Sequence, residues 1–579
     1  MLSVAVLGSI LVLLGLLVWG KFQASKLFIS LIFIYFLFDL ISLQAFLANF
    51  VNPALVTLVL LLLVSSVLEK TTLFAWVSDW LIAKSQRKTI GKMGVSVGIG
   101  SAFLNNTAMV ATFMSLFGRS NHVVPSKLLI PLSYIAIFGG TLTLIGTSTH
   151  LIINGFLLQA GLPELGVFDF IMVGGFILLF GTLTVLLLAP QILPEIQQDK
   201  EDFTEYLIEA RLAEGSSLIG QSIEQAGLRQ LEDLFLVQVI SAKSSYSPVS
   251  PKYRLKGGDR LIFTGDIKAA PKLLLLDGLS FLGDKEPRQQ QQFVEVVVSQ
   301  QSPMVGSTIK QANFRNKFDA AVIAICRGSQ KLDARLADVT VQAGDALVLM
   351  VGADFEKREN LKRHFYFYTK VDTHHSLSKT KSLIALGGFA GVIGLAAIGM
   401  VSLIKGLMVL LAAFVVMKLI SFNEIRQRLP FELMIIIGSA LGIASVLTST
   451  SSAQILADFV MQTFGYWGVW GSFIGIYLLT VLITEVVTNN AAAALGFPIA
   501  IVTAEALGVS YWPFVMAVAY GASASFITPY GYQTNLMVYS AGGYRFIDYV
   551  KMGIPVSIVY GLTVILLVPV FFPFELVNS

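Results

Sequence analysis

Residues 101–108 read SAFLNNTA and residues 484–491 read TEVVTNNA, and each run interrupts a long apolar region. Polar side chains of this kind are costly in hydrocarbon, so they are tolerated where they face a cavity or an ion. A tip at which one half-helix ends and another begins also exposes carbonyls that suit a hard cation and N–H groups that suit an anion. The two runs therefore predict two re-entrant hairpins around a polar site. Amides that merely join neighbouring helices are the alternative.

Composition places these hairpins in a membrane protein. The chain has 579 residues, of which 55% are hydrophobic and 13% are charged, whereas soluble proteins carry about 25% charged residues. The net charge of +4 and the lack of a basic run interleaved with aromatics indicate no nucleic-acid partner. Residues 1–20 lack a basic leader and are expected to be a retained span rather than a signal peptide. Apolar runs approach or exceed the roughly 20 residues that cross a bilayer at Val4–Trp19, Leu27–Leu47, Ala54–Leu68 and Val556–Phe572.

The regions around the two tips repeat the same landmarks at the same spacing. Asn106 lies 43 residues before Thr149, and Asn490 lies 44 residues before Thr534. The segments that contain these threonines are rich in glycine, proline and hydroxyl residues, which break the helical hydrogen-bond ladder. They predict a discontinuous helix in each half, with a simple kink as the alternative, at 139–149 and 521–535.

Basic residues locate the loops, because lysine and arginine favour the cytoplasmic side. The turns near 49–52, 161–166, 462–467 and 508–512 carry no basic residue, and Lys405 alone departs from the pattern. Together these features predict five spans and one hairpin per half, with the first half starting outside and the second inside. Such inverted repeats are a common architecture of secondary transporters. The basic residues that mark cytoplasmic turns are Lys21, Lys26, Lys84, Arg87, Lys88, Lys92, Arg119, Lys127, Lys418, Arg426, Arg428, Arg545 and Lys551.

Between the halves, residues 194–381 hold most of the charge and are predicted to form a cytoplasmic insert. Gly220-Gln221-Ser222-Ile223 recurs 86 residues later as Gly306-Ser307-Thr308-Ile309, and the Gly-Asp pair at 258 recurs at 344. This tandem duplication predicts two small α/β modules. Each should contain a strand, a short helix after the glycine, a second strand, a Gly-Asp turn and a closing strand. The expected domains are 1–193, 205–278, 291–357 and 382–579.

The two modules resemble the C-terminal ligand-binding domains of bacterial potassium-uptake regulators, the TrkA C-terminal type, over most of Glu205 to Lys357. The resemblance implies paired domains that bind a small molecule and regulate the membrane partner, and a structural spacer is the alternative. The nucleotide-binding domain that accompanies such modules is not expected, because no G-x-G-x-x-G follows a strand here.

The membrane halves resemble the divalent anion:sodium symporter family of the ion-transporter superfamily. That family has a Ser-Asn-Thr signature at each tip, where this chain has Asn105-Asn106-Thr107 and Thr488-Asn489-Asn490. The resemblance implies an all-α elevator-type transporter and a homodimer that makes contact through scaffold spans. It implies one sodium site at Ser101, Asn105, Asn106 and the Gly146 backbone, and another at Thr484, Thr488, Asn489 and the Ile527 backbone. The anion would contact Asn106, Thr107, Thr147, Asn489, Asn490, Thr528 and Pro529.

The run GYQTN at 531–535 and the paired modules resemble the sulfate-transporting branch of that family, so sulfate in a plasma (inner) membrane is the expectation. A tetrahedral dianion can be held by neutral donors and helix ends, and no arginine lies in the tip and break motifs. A sodium-coupled dicarboxylate transporter and a ligand-gated sensor or channel are the alternatives. An enzyme is not expected, because the chain has no H-E-x-x-H, G-x-S-x-G or Walker loop. The single cysteine, Cys326, excludes an intramolecular disulfide.

Other polar and aromatic residues carry further expectations. Glu485 is expected to be hydrogen-bonded within the scaffold, with pairing to a coupling ion as the alternative. His150 stands where the family more often has asparagine, which predicts either a structural hydrogen bond or a proton-linked role. Asp39, alone in an apolar run, is expected to pack between helices or face a cavity. Trp76 and Trp80 predict an amphipathic stretch at the membrane interface.

Overall fold

A computed structural model describes most of the chain, in two compact units. The first unit is Met1–Glu195, His374–Tyr539 and Arg545–Ser579, and the second is Ile196–Thr373 and Ser540–Tyr544. Lys21, Trp76, Lys84 and Arg119 lie outside the described residues, as do the predicted boundaries at 205, 291 and 357. The described residues are 2–19, 24–71, 77, 80–81, 83, 85–118, 123–196, 207–228, 231, 234–241, 244–246, 249–265, 273, 276–281, 293–300, 302–332, 336–352, 354–355, 358, 361–367 and 377–575.

The first unit is helical. Its helices before the insert are α1 Leu2–Trp19, α2 Ala24–Leu37, α3 Leu43–Phe50, α4 Pro53–Leu68, α5 Gln86–Ser101, α6 Asn106–Phe117, α7 Leu129–Gly140, α8 Ser148–Gln159 and α9 Ile171–Ile192. The second unit contributes α10 Phe314–Phe318 and α11 Leu361–His364. The later helices are α12 Lys379–Ala397, α13 Leu403–Val416, α14 Phe422–Arg428, α15 Phe431–Ser449, α16 Ser452–Phe464, α17 Gly468–Val486, α18 Asn489–Leu507, α19 Trp512–Ser523, α20 Gln533–Ala541 and α21 Phe546–Phe571.

Length and composition identify the membrane-crossing helices. Within the described ranges, seven helical segments are long and apolar enough to cross a bilayer. The chain is therefore a polytopic membrane protein, as its apolar runs predict. The seven segments are Leu43–Leu68, Ile171–Ile192, Lys379–Ala397, Phe431–Ser449, Ser452–Val486, Asn489–Leu507 and Phe546–Phe571.

The apolar run Leu27–Leu47 is not one continuous helix. α2 ends at Leu37, and Asp39 takes a left-handed conformation with φ of 54° in an exposed turn. Ser42 then begins α3, where its hydroxyl accepts a hydrogen bond from Ala45 N at 3.2 Å. The expectation that Asp39 packs between helices is therefore wrong. Aspartate tolerates the left-handed region better than most residues do, so it serves here as a turn residue.

Both predicted discontinuous helices are interrupted. α7 ends at Gly140 and α8 begins at Ser148, while α19 ends at Ser523 and α20 begins at Gln533. α7, α8 and α19 each have 12 residues, which at 1.5 Å per residue is about 18 Å. That is shorter than the roughly 30 Å of a bilayer core, so none of these helices is long enough to cross a bilayer alone.

Two glycines let long helices approach the interruptions closely. A Cβ added at Gly174 on α9 would lie 2.5 Å from the Thr141 carbonyl oxygen. A Cβ added at Gly553 on α21 would lie 2.7 Å from Ile527 Cα. Because these neighbours are backbone atoms, only a residue without a side chain fits. α9 and α21 also pack against each other, and together they brace the two breaks.

The second unit contains two five-stranded antiparallel sheets in its described part. Their strand orders are β3-β2-β4-β1-β5 and β10-β6-β9-β7-β8, which match when the second is read backwards. A bulge between Leu236 and Gln238 recurs between Val322 and Ala324, 86 residues later. The strands are β1 Leu207–Leu212, β2 Leu234–Ser241, β3 Ser244–Tyr246, β4 Arg260–Gly265, β5 Leu279–Phe281, β6 Phe293–Val298, β7 Ala320–Arg327, β8 Gln330–Lys331, β9 Ala346–Val351 and β10 Phe365–Phe367.

The short helix predicted after each module's glycine is described in the second module. After Gly306 the chain makes turns and then α10. Asn313, the N-cap of α10, has φ of 47°, and Gly227 at the equivalent position 86 residues earlier has φ of 70°. The counterpart of α10 would be residues 228–232, which lie mostly outside the described residues, so the helix in the first module stays a prediction.

The two Gly-Asp turns are both buried and hydrogen-bonded, with different partners. Asp345 forms a two-point ion pair with Arg327 at 2.7 and 2.9 Å. Asp259 instead accepts from the Tyr253 hydroxyl at 2.9 Å. Each aspartate also accepts from the backbone N–H three residues before it, from Lys256 N at 2.9 Å and from Gln342 N at 2.8 Å. Burial, together with the hydrogen bond to Asp259, raises the pKa of Tyr253 to about 12. The phenol therefore keeps its proton and remains the donor across the physiological pH range.

The two sheets share a hydrophobic core. Residues from both line it, and Arg315 adds a bond from its guanidinium to the Leu236 carbonyl at 3.1 Å. The two modules are therefore packed on each other within the second unit. The shared core contains Val237, Ile262, Ala321, Ile323, Ala324, Val348 and Met350.

Candidate functional site

The first hairpin tip surrounds a buried amide with oxygens. α5 ends at Ser101 and α6 begins at Asn106, and both side chains are buried. One end of the Asn106 amide lies 2.5 Å from Ser101 Oγ, 3.2 Å from the Ala136 carbonyl oxygen and 3.3 Å from that of Gly146. When Asn106 Oδ1 takes that end, it lies among other uncharged oxygens, which are the ligand type that a hard cation prefers. The structure thus brings Ser101, Asn106 and Gly146 together and adds Ala136, which was not predicted.

Asn105 points elsewhere. It is the N-cap of α6, and its side-chain oxygen accepts a hydrogen bond from Thr107 N at 2.8 Å. Such a cap satisfies one of the N–H groups that have no partner at the start of a helix. The described contacts therefore give Asn105 a capping role, and its place among the sodium ligands stays a prediction.

The second hairpin tip is built differently. The groups of the second predicted sodium site have separate partners, which cap α18 or support the second break, so that site also stays a prediction. Their contacts include Thr484 Oγ1 to Ala522 O (3.0 Å), Ala491 N to Thr488 Oγ1 (3.3 Å), Asn490 N to Asn489 Oδ1 (2.9 Å) and Ile527 N to Glu485 Oε1 (2.8 Å).

Glu485 is the hydrogen-bond acceptor for the backbone of the second break. Its buried carboxylate accepts from the N–H groups of Phe526, Ile527 and Thr528 at 2.7, 2.8 and 2.9 Å. The Thr528 hydroxyl donates in turn to the Glu485 carbonyl at 2.8 Å. Each unsatisfied backbone group costs several kcal/mol in a bilayer. Glu485 therefore stabilises the interruption, in agreement with the expected scaffold role, and the predicted anion ligand Thr528 is engaged in the same support.

Hydrogen bonds connect the two tips and the two breaks. The predicted anion ligands Asn106, Thr107, Thr147, Asn489 and Asn490 all take part, whereas Pro529 lies buried in the second break. Tyr532, Gln533 and Ser148 were not predicted as site residues. Their one sequence signal is their position beside the repeated landmarks at 149 and 534. The bonds are Asn106 to Tyr532 (2.8 Å), Thr147 to Tyr532 (3.1 Å), Asn489 to Tyr532, Thr107 to Gln533 (3.3 Å) and Ser148 to Asn490 (3.0 Å).

Several helices begin at this cluster. Each helix N-terminus carries roughly half a positive charge and free N–H groups, so converging N-termini favour an anion even without a basic side chain. The polar side chains of the cluster are amides and hydroxyls. The cluster therefore combines the kinds of neutral donor and oxygen that suit a small oxyanion and a hard cation. The helices and their first residues are α6 at Asn106, α8 at Ser148, α18 at Asn489 and α20 at Gln533.

His150 lies in the first turn of α8, next to this cluster. Its ring stacks on Phe170 with centroids 3.8 Å apart, and its Nδ1 lies 3.0 Å from the Thr143 carbonyl oxygen. In the first turn of α20, Asn535 donates to the Ser525 carbonyl at 2.8 Å. Each residue thus bonds a carbonyl of the break that precedes it. These contacts favour the structural interpretation of His150 over a proton-linked role.

Known proteins that are similar to this chain include transporters. A family model described as citrate transporter matches residues 4–513 of the chain. A Chlamydomonas reinhardtii protein provisionally named sulfur deprivation response regulator is 31% identical, covering 89% of this chain and 92% of that protein. An uncharacterized transporter of Synechocystis is 29% identical over 90% of this chain and 89% of its own length. Sodium/sulfate cotransporter 1 of C. reinhardtii is 27% identical over 61% of this chain and 42% of its own length.

Glu485→Gln should destabilise the protein. The glutamine side chain has one acceptor oxygen, and its NH2 group would face backbone N–H groups of the break that also donate. The break therefore loses hydrogen bonds to the carboxylate, each worth about 1.5–3 kcal/mol. We expect a thermal unfolding midpoint several degrees lower, measured on the purified protein. Glu505→Gln, at an exposed position near the end of α18, is the control and should leave the midpoint unchanged. Equal midpoints for Glu485→Gln and wild type would contradict the support role.

Proposed function

The chain belongs to the citrate transporter family, within the ion-transporter superfamily, and on that premise we propose that it is a sodium-coupled symporter of a divalent oxyanion, with sulfate as the substrate. The family model and relatives such as sodium/sulfate cotransporter 1 are named for transport, so the proposed activity is membrane transport and not enzymatic catalysis. The observation that carries the proposal is the first tip, where the Asn106 amide links a set of uncharged oxygens to the cluster of helix N-termini.

Two observations support sulfate. The cluster offers amides, hydroxyls and helix N-termini but no basic side chain in its motifs, and such donors hold a compact tetrahedral dianion. The relatives also include proteins named sodium/sulfate cotransporters. Competition by succinate separates the dicarboxylate alternative from sulfate.

Asn106→Ala and Asn489→Ala should each lower sodium-driven uptake of labelled sulfate into proteoliposomes by at least about tenfold. Each change removes a hydrogen bond or ligand to a charged species, worth about 1.5–3 kcal/mol. Asn423→Ala, on the exposed face of α14, is the matched control and should transport normally. Wild-type uptake that is independent of a sodium gradient, or that succinate competes for as well as unlabelled sulfate does, would overturn the assignment.

We further propose that the membrane halves are inverted repeats that move as an elevator in a homodimer. The order of helices in α12–α21 matches that in α1–α9 with the stretch at 73–83, part of which is outside the described residues. The packing is also reciprocal, since α2 contacts α15 while α4 contacts α13. One hydrogen bond between the halves recurs as an exchanged pair, as a two-fold relation requires: Thr107 to Gln533 with Asn490 to Ser148.

Alternating access predicts that side chains at the breaks change the side from which they can be reached. Cysteines placed singly at Thr147 and Thr528 in a Cys326→Ser background should react with an impermeant thiol reagent from one side, and from the other when sodium and sulfate are changed. A cysteine at Asn423 serves as the control and should react from one side throughout. One-sided labelling at both breaks under every condition would instead support the sensor or channel alternative.

The insert, we propose, is a cytoplasmic regulator that binds a small molecule, in a plasma (inner) membrane protein. Its support is the duplicated strand order, the shared core and the different partners of the two Gly-Asp turns. The division into domains at 1–193, 205–278, 291–357 and 382–579 belongs to the same proposal.

Deleting residues 205–357 and bridging the ends with a flexible linker should leave sulfate binding intact, because the binding residues all lie in the first unit. The rate of uptake, or its response to cytoplasmic metabolites, should change. Binding to the detergent-purified variant and uptake into proteoliposomes measure the two separately. Identical uptake kinetics with and without the insert, across metabolite conditions, would reduce the insert to a spacer.

A further inference from the structure

Tyr532 is the point at which the two tips meet. Its hydroxyl hydrogen-bonds to Asn106 of the first tip at 2.8 Å, to Thr147 of the first break at 3.1 Å and to Asn489 of the second tip. The side chain is only 5% exposed. A phenol has a single hydrogen to donate, so the direction of each of these bonds depends on the others.

The Asn106 amide can take two arrangements, of which only the first is satisfied by hydrogen bonds alone. In one, its Nδ2 donates toward Ser101 Oγ, Ala136 O and Gly146 O at 2.5, 3.2 and 3.3 Å, and its Oδ1 accepts from the Tyr532 hydroxyl at 2.8 Å. In the other, Oδ1 faces those oxygens and accepts from Ser101, while Nδ2 donates to Tyr532 at 2.8 Å. Heavy-atom positions are nearly the same in both, because amide oxygen and nitrogen are close in size.

A cation among the oxygens selects between these arrangements. A hard cation binds oxygen and is repelled by an N–H donor, so it requires Asn106 Oδ1 to face Ser101 and the two carbonyls. Nδ2 must then donate to Tyr532, whose own hydrogen is released from Asn106. Without the cation, Nδ2 satisfies the surrounding oxygens, and the phenolic hydrogen is held by Asn106 Oδ1.

We propose that Tyr532 relays sodium binding at the first tip to the anion, a step that rests on the sodium-coupled anion transport proposed above. With sodium bound and no anion present, the Tyr532 hydroxyl donates its hydrogen to Thr147 Oγ1. When the anion arrives, the hydroxyl rotates and donates that hydrogen to the anion. Without sodium, the same hydroxyl presents only lone pairs to the anion and repels it. Sodium thereby converts the Tyr532 hydroxyl from an acceptor to a donor toward the anion, and the affinity for the anion rises.

The relay also accounts for the use of an amide and a phenol here. A serine or threonine in place of Asn106 would bind sodium through the same atom that contacts Tyr532. An amide instead has separate donor and acceptor ends, so an ion at one end sets the orientation of the other. Energy coupling of this kind is reciprocal, so sulfate must also strengthen sodium binding.

The test measures binding of labelled sulfate to the purified, full-length protein in sodium and in choline. The wild type should bind sulfate more tightly in sodium, and Tyr532→Phe should reduce the ratio of the two affinities by about tenfold or more, because a hydrogen bond to a charged group is lost. Thermal stabilisation by sodium alone should remain in Tyr532→Phe, because Ser101, Asn106, Ala136 and Gly146 are unchanged. Tyr560→Phe, which removes a buried hydroxyl bonded to Tyr520 O at 2.9 Å, is the control and should keep the wild-type ratio.

A second variant keeps the shape of the site. 3-Fluorotyrosine incorporated at position 532 retains the hydroxyl and makes it a stronger donor, so its affinity ratio should be at least that of the wild type. A wild-type ratio in Tyr532→Phe, loss of stabilisation by sodium alone in that variant, or a ratio in the fluorotyrosine protein as low as that of the phenylalanine variant would each overturn the relay. Sulfate binding by the wild type that does not depend on sodium would overturn the coupled transport itself, and the relay with it.

Discussion

Backbone groups that lose their helical partners inside a bilayer must find others, and this requirement governs the rest of the first unit. The second break meets it with a carboxylate, because Glu485 accepts from consecutive N–H groups at Phe526, Ile527 and Thr528. The first break has no such carboxylate and uses hydroxyls: Thr143 Oγ1 donates to Ala102 O at 2.5 Å and accepts from Gly146 N at 3.1 Å. The backbone of the second break is therefore stabilised by a carboxylate, and that of the first break by a neutral hydroxyl.

The neutral hydroxyl at the first break is accompanied by uncharged oxygens around the Asn106 amide. The carbonyls of Ala136 and Gly146 face that amide at the first tip. At the second tip, Thr484 donates its hydroxyl hydrogen to Ala522 O, and Thr488 Oγ1 accepts from Ala491 N. The polar groups of the two tips therefore have different partners. This difference accounts for why similar triplets at 105–107 and 488–490 have dissimilar surroundings.

The sequence predicted the parts of this arrangement that carry a local signal. Polar runs in apolar segments identified the tips, glycine and proline identified the breaks, and the 86-residue offset identified two modules whose sheets have matching strand orders. Features that depend on tertiary contact had no such signal. The Ala136 carbonyl is a backbone atom of an ordinary helix, and Tyr532 resembles any buried aromatic residue until the opposite tip is placed beside it. Asp39 was misassigned because hydropathy measures composition and does not detect a left-handed turn.

The asymmetry between the tips also bears on how charge is balanced at the centre. Glu485 brings a carboxylate to the second half, and its hydrogen bonds to backbone N–H groups spread that charge into the loop rather than toward the anion. A dianion between the tips would then face only partial positive charges from helix N-termini, which are worth less than a full charge. Under the sodium coupling proposed above, a cation at the first tip would supply that full positive charge. In motifs without basic side chains, sodium would take the place that an arginine would otherwise fill. Unlike an arginine, it would leave with the anion, so the attraction would disappear when the anion must be released.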